Sequence, residues 1–156
     1  VMNIVIRKAT LEDLRQVQDL NYKLFDFEYK NFDSSLNMGW TFSEEGEKYF
    51  RKVIEKGTVW LAVDDDKIIG YLAGIMKSYN SINAKSAELD NFYIEEKYRR
   101  LGIGKRLVNE YKEYCKNKGV YTIYVTANAK NKNARSFYQA SGFDDEYEVT
   151  YKMKID

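Results

Sequence analysis

Arg99, Arg100, Gly102, Gly104 and Lys105 stand close together in the run Arg99-Arg100-Leu101-Gly102-Ile103-Gly104-Lys105. Before them, Asn91-Phe92-Tyr93-Ile94 is apolar and aromatic and reads as the end of a strand. After them, Leu107, Val108, Tyr111 and Cys115 recur at helical spacing. A strand, a basic glycine-bearing turn and a helix start form an anion site, because first-turn amides lack intrahelical acceptors and the helix dipole favours negative charge there. The glycines let a ligand approach the backbone without meeting a Cβ. Two common phosphate motifs do not fit. A P-loop needs Gly at position 99 and Ser or Thr at 106, where Arg99 and Arg106 stand; a dinucleotide fingerprint needs Gly where Leu107 stands. Taken alone, the motif also fits a solvated helix start with ordinary basic neighbours.

Two carboxylates come next. Glu88 and Asp90 alternate along one strand and so are expected on one face. The chain has no histidine, so a carboxylate is the available general base for any acid–base step. An exposed strand face bearing acids is the plain alternative. A third group is Asn131-Lys132-Asn133-Ala134-Arg135-Ser136-Phe137-Tyr138, followed by Gly142-Phe143. Read by itself it is a short helix capped by Asn131 or Asn133 and packed by Phe137 and Tyr138. With 14 tyrosines in the chain, position alone singles out none of them. Cys115 reads as helix-face packing, since nothing marks its thiolate as stabilised.

The elements that must hold these groups follow from periodicity and punctuation. Asn3–Lys8 alternates as a strand. Thr10 caps a helix with Asp13 in its third position, and Leu14, Val17, Leu20, Leu24 and Phe25 carry it to about Tyr29. Residues 31–41 form a loop, Ser43 opens a second helix, and Gly57 closes it. Thr58–Val63 and Lys67–Ser78 are strands joined at Asp64-Asp65-Asp66. Tyr79–Ala84 is a turn and Lys85–Ile94 a strand. A helix from Gly104 to Gly119, a strand Val120–Ala127, a helix Asn131–Ser141 and one or two closing strands in Phe143–Ile155 complete the chain.

The expected order is β-α-α-β-β-β-α-β-α-β(-β). This is an α/β (α+β) arrangement: a mixed, mostly antiparallel sheet of six to seven strands with about four helices, in one domain over residues 2–156.

Composition narrows the function classes. With 25 basic and 24 acidic residues, the net charge is +1, unlike the strongly basic balance of nucleic-acid binders. No apolar run is long enough for a membrane span, and the N-terminus is too polar for a signal peptide. One cysteine excludes an intrachain disulfide and suits a reducing, cytoplasmic setting. Without histidine, no metal site is expected.

The motif Arg-x-x-Gly-x-Gly over Arg99–Gly104 resembles the pyrophosphate-binding signature of the GNAT superfamily of acetyl-CoA-dependent N-acetyltransferases. The segment from Asn131 to Phe143 is similar to a second signature, Asn-x-x-Ala-x-x-apolar-Tyr-x-x-x-Gly-Phe, and the order of elements matches the GNAT fold over essentially the whole chain. The resemblance implies acetyl-CoA as cosubstrate. It implies pyrophosphate contacts from the backbone of Arg100, Leu101, Gly102, Ile103, Gly104 and Lys105, with charge from Arg99. Phe92, Tyr93 and Ile94 would offer backbone groups to the pantetheine amides, and the Ile94 amide would face the thioester oxygen. Asn131 would touch the pantetheine arm, Ala134 would let it pass, and Tyr138 would lie beside the sulfur. A phenol, with an ordinary pKa of about 10, can protonate a departing thiolate while staying neutral at pH 7. Glu88 lies eleven residues before Arg99, which matches family members that use a strand glutamate as base; Asp90 is the second choice. The strand at Thr122–Asn128 carries no carboxylate, which departs from members with a base there. The acceptor amine would be framed by Tyr29, Asp33, Trp40 and the neighbourhood of Tyr147. There Asp33 and Trp40 could hold a cation, or a buried Trp40 could simply pin the loop. Exposed aromatics are compatible with a homodimer. A non-catalytic acyl-CoA sensor or interaction module on the same fold is the alternative reading.

Overall fold

A computed structural model describes residues 2–77 and 84–155. β1 (Ile4–Lys8) is followed by a 3-10 turn at Leu11–Asp13, α1 (Leu14–Asn31), a second 3-10 turn at Trp40–Phe42 and α2 (Glu44–Glu55). Then come β2 (Val59–Asp64), β3 (Lys67–Lys77), β4 (Ser86–Ile94), a 3-10 turn at Glu96–Tyr98, α3 (Ile103–Asn117), β5 (Thr122–Val125) and α4 (Lys132–Ala140). The expected turn at Tyr79–Ala84 falls, apart from Ala84, outside the described residues. The strands form one sheet in the order β1-β2-β3-β4-β5, antiparallel except for the parallel β4–β5 pair.

The described residues hold five strands rather than the expected six to seven. The closing strands in Phe143–Ile155 are not formed. Tyr147, Val149, Tyr151, Met153 and Ile155 alternate as a strand would, yet they stand 73–90% exposed. Alternation says which side chains would share a face. It does not supply the neighbouring strand whose N–H and C=O groups a ladder requires.

Chain contacts divide the molecule into two compact units, Val1–Thr126 and Ala127–Asp156. In the first unit β2 and β3 are buried almost throughout, because helices cover both sheet faces. Val17 and Leu20 of α1, Phe50, Val53 and Ile54 of α2, and Leu61, Tyr71 and Ala73 of the sheet form one core. On the opposite face Trp60 packs against Tyr111 and Tyr114 of α3, with ring centroids 5.5 and 5.2 Å away. Gly74 makes that contact possible: a Cβ there would lie 2.3 Å from the Tyr111 ring.

Buried polar groups fix the connection between α1 and α2. The Thr41 hydroxyl donates to Asn21 Oδ1 (2.7 Å), Asn21 Nδ2 donates to the Tyr71 hydroxyl (3.0 Å), and Gln18 Nε2 donates to the Thr41 carbonyl (3.0 Å). Ser43 caps α2 by accepting from the Gly46 amide at 3.1 Å. Gly46 itself lets the Trp40–Thr41 backbone approach so closely that a Cβ would sit 2.0 Å from the Trp40 carbonyl oxygen.

Thr10 caps the 3-10 turn Leu11–Asp13 that leads into α1, rather than α1 itself. Asp13 accepts from the Thr10 amide at 2.8 Å and from both terminal nitrogens of Arg7 at 2.8 and 3.0 Å. The Arg7 hydrogen bonds hold its carboxyl below the usual carboxylate range. A folded pKa below the unfolded one adds stability above the unfolded value, and that stability is lost as pH falls through the folded value. Asp13→Asn should therefore cost about 1–2 kcal/mol at neutral pH, held down by the exposure of Arg7. In denaturant titrations, the gap between parent and variant should close under acid. A gap that stays constant from neutral pH into strong acid would contradict this.

Candidate active site

The β4–β5 ladder runs from Ser86↔Thr122 to Leu89↔Val125 and stops there. β4 continues to Ile94 with β3 on one side only. Glu95 donates to the Ile69 carbonyl at 2.8 Å, so Glu95↔Ile69 is a hydrogen-bonded pair. Pairs alternate in an antiparallel ladder. Tyr93 therefore faces β3, and the N–H and C=O groups of Phe92 and Ile94 turn to the edge that β5 has left. On that edge the Ile94 carbonyl accepts from Arg99 Nε at 2.8 Å.

The turn that follows is set by two left-handed residues. Gly102 caps α3 in the left-handed region (φ 79°), and Arg100 shares that region at φ 63°. The first α3 amide with a backbone acceptor is that of Arg106, bonded to the Gly102 carbonyl at 3.2 Å. Among the described residues, no protein acceptor meets the amides of residues 100–105. A Cβ on Gly102 would find open space. Arg100, Leu101, Gly102 and Lys105 are exposed, while Ile103 and Gly104 are buried. These are the residues expected to hold a pyrophosphate. Arg99 takes a more structural part than expected. Its Nε donates to the Ile94 carbonyl at 2.8 Å and its guanidinium lies 5.2 Å from the Tyr93 ring centre. It braces the end of β4 while still lending charge.

Glu88 and Asp90 do share a face, but not by simple alternation. The register shifts between Ala73 and Gly74: Ala73 opposes Asn91, and Gly74 opposes Leu89. This bulge inserts one residue in β4 just beyond the last β4–β5 pair. Glu88, opposite Ile75, and Asn91, opposite Ala73, then lie on the side of α1 and α2. The Glu88 carboxylate forms an ion pair with Lys77. Asp90 is exposed and accepts from the Tyr49 hydroxyl of α2 at 2.5 Å. Asn91 Nδ2 donates to the same hydroxyl at 2.7 Å, and Asn91 Oδ1 is buried with no partner among the described residues. Burial, then the charge of Asp90, raises the Tyr49 pKa far above the usual phenol value.

Among the residues expected to frame an acceptor, Trp40 stacks on Phe25 at 5.7 Å and packs against Tyr49 and Phe50 at 5.4 and 5.9 Å. It pins the loop. The Asp33 carboxylate accepts from the Ser35 amide and hydroxyl, which is a turn-forming role. Tyr29 is 40% exposed. Cys115 is buried, and burial raises its thiol pKa.

In the second unit Asn131 Oδ1 accepts from the Ala134 amide at 3.1 Å, capping α4. Tyr138 packs edge-on between Phe137 and Phe143, at 5.5 and 5.7 Å. Arg135 and Gln139 both bond Asp145. Among the described residues, no group of side chains is arranged to hold a metal ion, and no helix is long and apolar enough to cross a membrane.

The family model described as the acetyltransferase (GNAT) family matches residues 20–143. This chain belongs to the GNAT family. It is 26% identical over 146 residues to an uncharacterized N-acetyltransferase of Methanocaldococcus jannaschii, covering 93% of this chain and 62% of that protein. It thus spans less than two thirds of that relative. It is 27% identical to N-alpha-acetyltransferase 50 of Danio rerio, covering 90% of this chain and 74% of the relative. It is 26% identical to a spermidine N(1)-acetyltransferase of Thermoplasma acidophilum, covering 91% and 89%. Among solved structures, a tetramutant of the BH1408 protein of Bacillus halodurans matches with a TM-score of 0.80 at 20% identity, covering 97% of this chain and 99% of that one. The aminoglycoside N-acetyltransferase AAC(6')-Iy, solved in complex with CoA, matches with 0.76 at 16% identity, covering 99% and 96%. These structures share the fold of this GNAT chain: a mixed sheet with four helices.

The backbone of the turn gives two substitutions of opposite character. Gly102→Ala forces a Cβ into the left-handed region with no clash to relieve, and should cost about 1–2 kcal/mol. Arg100→Gly releases the same strain but adds chain entropy to the unfolded state, so it should be close to neutral. Thermal or denaturant unfolding distinguishes them; equal losses would show that the turn conformation is not the cause.

Proposed function

We propose that this GNAT chain is a cytoplasmic N-acetyltransferase. It moves the acetyl group of acetyl-CoA to a primary amine by direct attack in a ternary complex, and the acceptor is a small-molecule or protein amine. The observation that carries this reading is the run of unpaired amides at residues 100–105, set beside a β4 edge whose strand partner has ended. Family membership supports the reaction class. Relatives named for spermidine, aminoglycosides and N-alpha acetylation support an amine acceptor.

The residues present fit acetyl-CoA, which supplies the activated acyl carbon. The backbone of Arg100, Leu101, Gly102, Ile103, Gly104 and Lys105 would hold the diphosphate. Each charge-assisted hydrogen bond contributes roughly 1.5–3 kcal/mol, against roughly 0.3–1 kcal/mol for the helix dipole. The amides therefore outweigh the dipole, and Arg99, Arg100 and Lys105 add charge around them. The outward backbone of Phe92 would face the pantetheine amides, with Tyr93 holding β4 to β3 and Arg99 holding the Ile94 carbonyl. The Ile94 amide would donate to the thioester oxygen as negative charge grows on it. Asn131 would reach the pantetheine through its remaining Nδ2, past the small Ala134.

The acceptor ammonium gives one proton to a β4 carboxylate, Glu88 or Asp90. Its nitrogen then bonds to the acyl carbon as the C–S bond breaks. The leaving thiolate takes the Tyr138 hydroxyl proton, and the amine's second proton restores the phenol through solvent. No covalent enzyme intermediate is required. Support for Tyr138 is its place in the second signature, and support for a carboxylate base is the absence of histidine. Tyr29, Asp33 and Trp40 stay in the proposal only as the wall framing the acceptor.

Gly104→Asp should abolish acetyl-CoA binding in calorimetry, since a carboxylate in the first turn repels the diphosphate; undiminished affinity would remove the pyrophosphate site. Tyr138→Phe should lower kcat by roughly 10²-fold or more with little change in acetyl-CoA affinity. The assay is thioester consumption against an amine panel including spermidine, an aminoglycoside, an amino acid and a peptide N-terminus. Tight acetyl-CoA binding with no turnover on any amine would favour the sensor reading instead.

A further inference from the structure

We propose that Tyr49 is a positioning residue for this reaction: its hydroxyl holds the Asp90 carboxylate where β4 and β5 part, making Asp90 rather than Glu88 the group that receives the acceptor's ammonium. The inference rests on the acetyltransferase reading above.

Three observations carry it. The first is the direction of the hydrogen bonds. A phenol has one proton and an amide NH₂ only donates. Asn91 Nδ2 therefore donates to the Tyr49 oxygen, and the Tyr49 proton points to Asp90 Oδ2. The carboxylate is fixed by neutral donors alone: among the described residues no cation pairs with Asp90. The second is the state of the rival. Glu88 already faces Lys77 in an ion pair and is half-buried, so its charge is spent within the protein. The third is place. Asp90 follows Leu89, the last β4 residue paired with β5, and precedes the outward-facing groups of Phe92 and Ile94. An ammonium there would find Asp90 beside Asn91 Oδ1, a buried acceptor that meets no donor among the described residues.

The arrangement also has a reason to persist. The Tyr49 ring is wedged against Trp40 and Phe50, at 5.4 and 4.9 Å. Its phenol pKa lies far above any assay pH, raised first by burial and then by Asp90, so it remains a donor throughout. Tyr111 of α3 also feels the Asp90 charge, but its hydroxyl is committed to the Glu88 carbonyl at 2.7 Å.

The test uses the whole chain with acetyl-CoA and the panel amine of highest kcat/KM. Tyr49→Phe keeps the ring and removes the hydroxyl. It should lower kcat/KM for the amine at least tenfold while the acetyl-CoA Kd, from calorimetry, stays within twofold. Asp90→Asn should lose more than Glu88→Gln. The double variant Tyr49→Phe/Asp90→Asn should lose no more than Asp90→Asn alone, because Tyr49 acts through Asp90. A merely structural role for Tyr49 would give additive losses and a lower Tm in step with them, and that result overturns the proposal. So does a greater loss from Glu88→Gln than from Asp90→Asn. Turnover absent from the parent chain on every amine overturns the enzymatic reading itself, and this inference with it. That outcome is distinguishable, because it appears before any variant is made.

Discussion

One break in a hydrogen-bond ladder organises this molecule. β4 and β5 are paired through Leu89↔Val125 and no further, while β4 runs on to Ile94 against β3 alone. A strand edge with unmatched N–H and C=O groups is ordinarily a liability in water. Here the exposed edge of β4 leads into the amides of residues 100–105, which meet no protein acceptor among the described residues. Amides left open in this way are a cost to the isolated fold, one that a bound anion would recover. The left-handed Arg100 and Gly102 belong to the same trade, since strain in the turn is what aims its amides outward.

The bulge that ends the β4–β5 pairing is held from both faces of the sheet by tyrosines. From one face Tyr111 of α3 lies on Gly74 and donates to the Glu88 carbonyl. From the other, Tyr49 of α2 meets Asp90 and Asn91. The two contacts sit on either side of Leu89, so β4 cannot slide without breaking one of them. Because α3 also supplies the amide-lined N-terminus, a single packing contact at Tyr111 sets the distance between the turn and the bulge. Rigid placement of this kind is what a reaction between two bound molecules requires, because misplacement by about 1 Å can cost about 10² in rate.

Much of this was legible in the sequence, and the limits have physical causes. Glycine and cap residues announce local geometry: Thr10 with Asp13, Ser43, Gly57 and Gly102 all stand where the chain needs them. The five observed strands follow from apolar alternation and from runs buried on both faces. What local pattern cannot show is pairing. Residues 146–155 alternate as well as β1 does, yet alternation carries no information about whether a neighbouring strand exists. Arg99 was readable as a cation near a phosphate, but its Nε contact to Ile94 depends on the turn folding back on the strand.

The carboxylates show the same limit more sharply. Simple alternation puts Glu88 and Asp90 on one face and ranks them by spacing alone. The bulge replaces that alternation, and the ranking turns on partners far away in the chain or across a hairpin. Lys77 lies opposite Ser86, two residues along the ladder from Glu88, a register that no sequence pattern specifies. Tyr49 reaches Asp90 from a separate helix, and among 14 tyrosines nothing local distinguishes it. A carboxylate's chemistry is decided by which opposite charge, if any, the fold has already given it. Lys77 gives Glu88 one, and Tyr49 gives Asp90 an anchor without a charge. An anion fixed by a neutral donor and an anion already paired with a lysine differ in what they can still attract, and at this bulge the fold, more than the spacing, makes that difference between two similar acids.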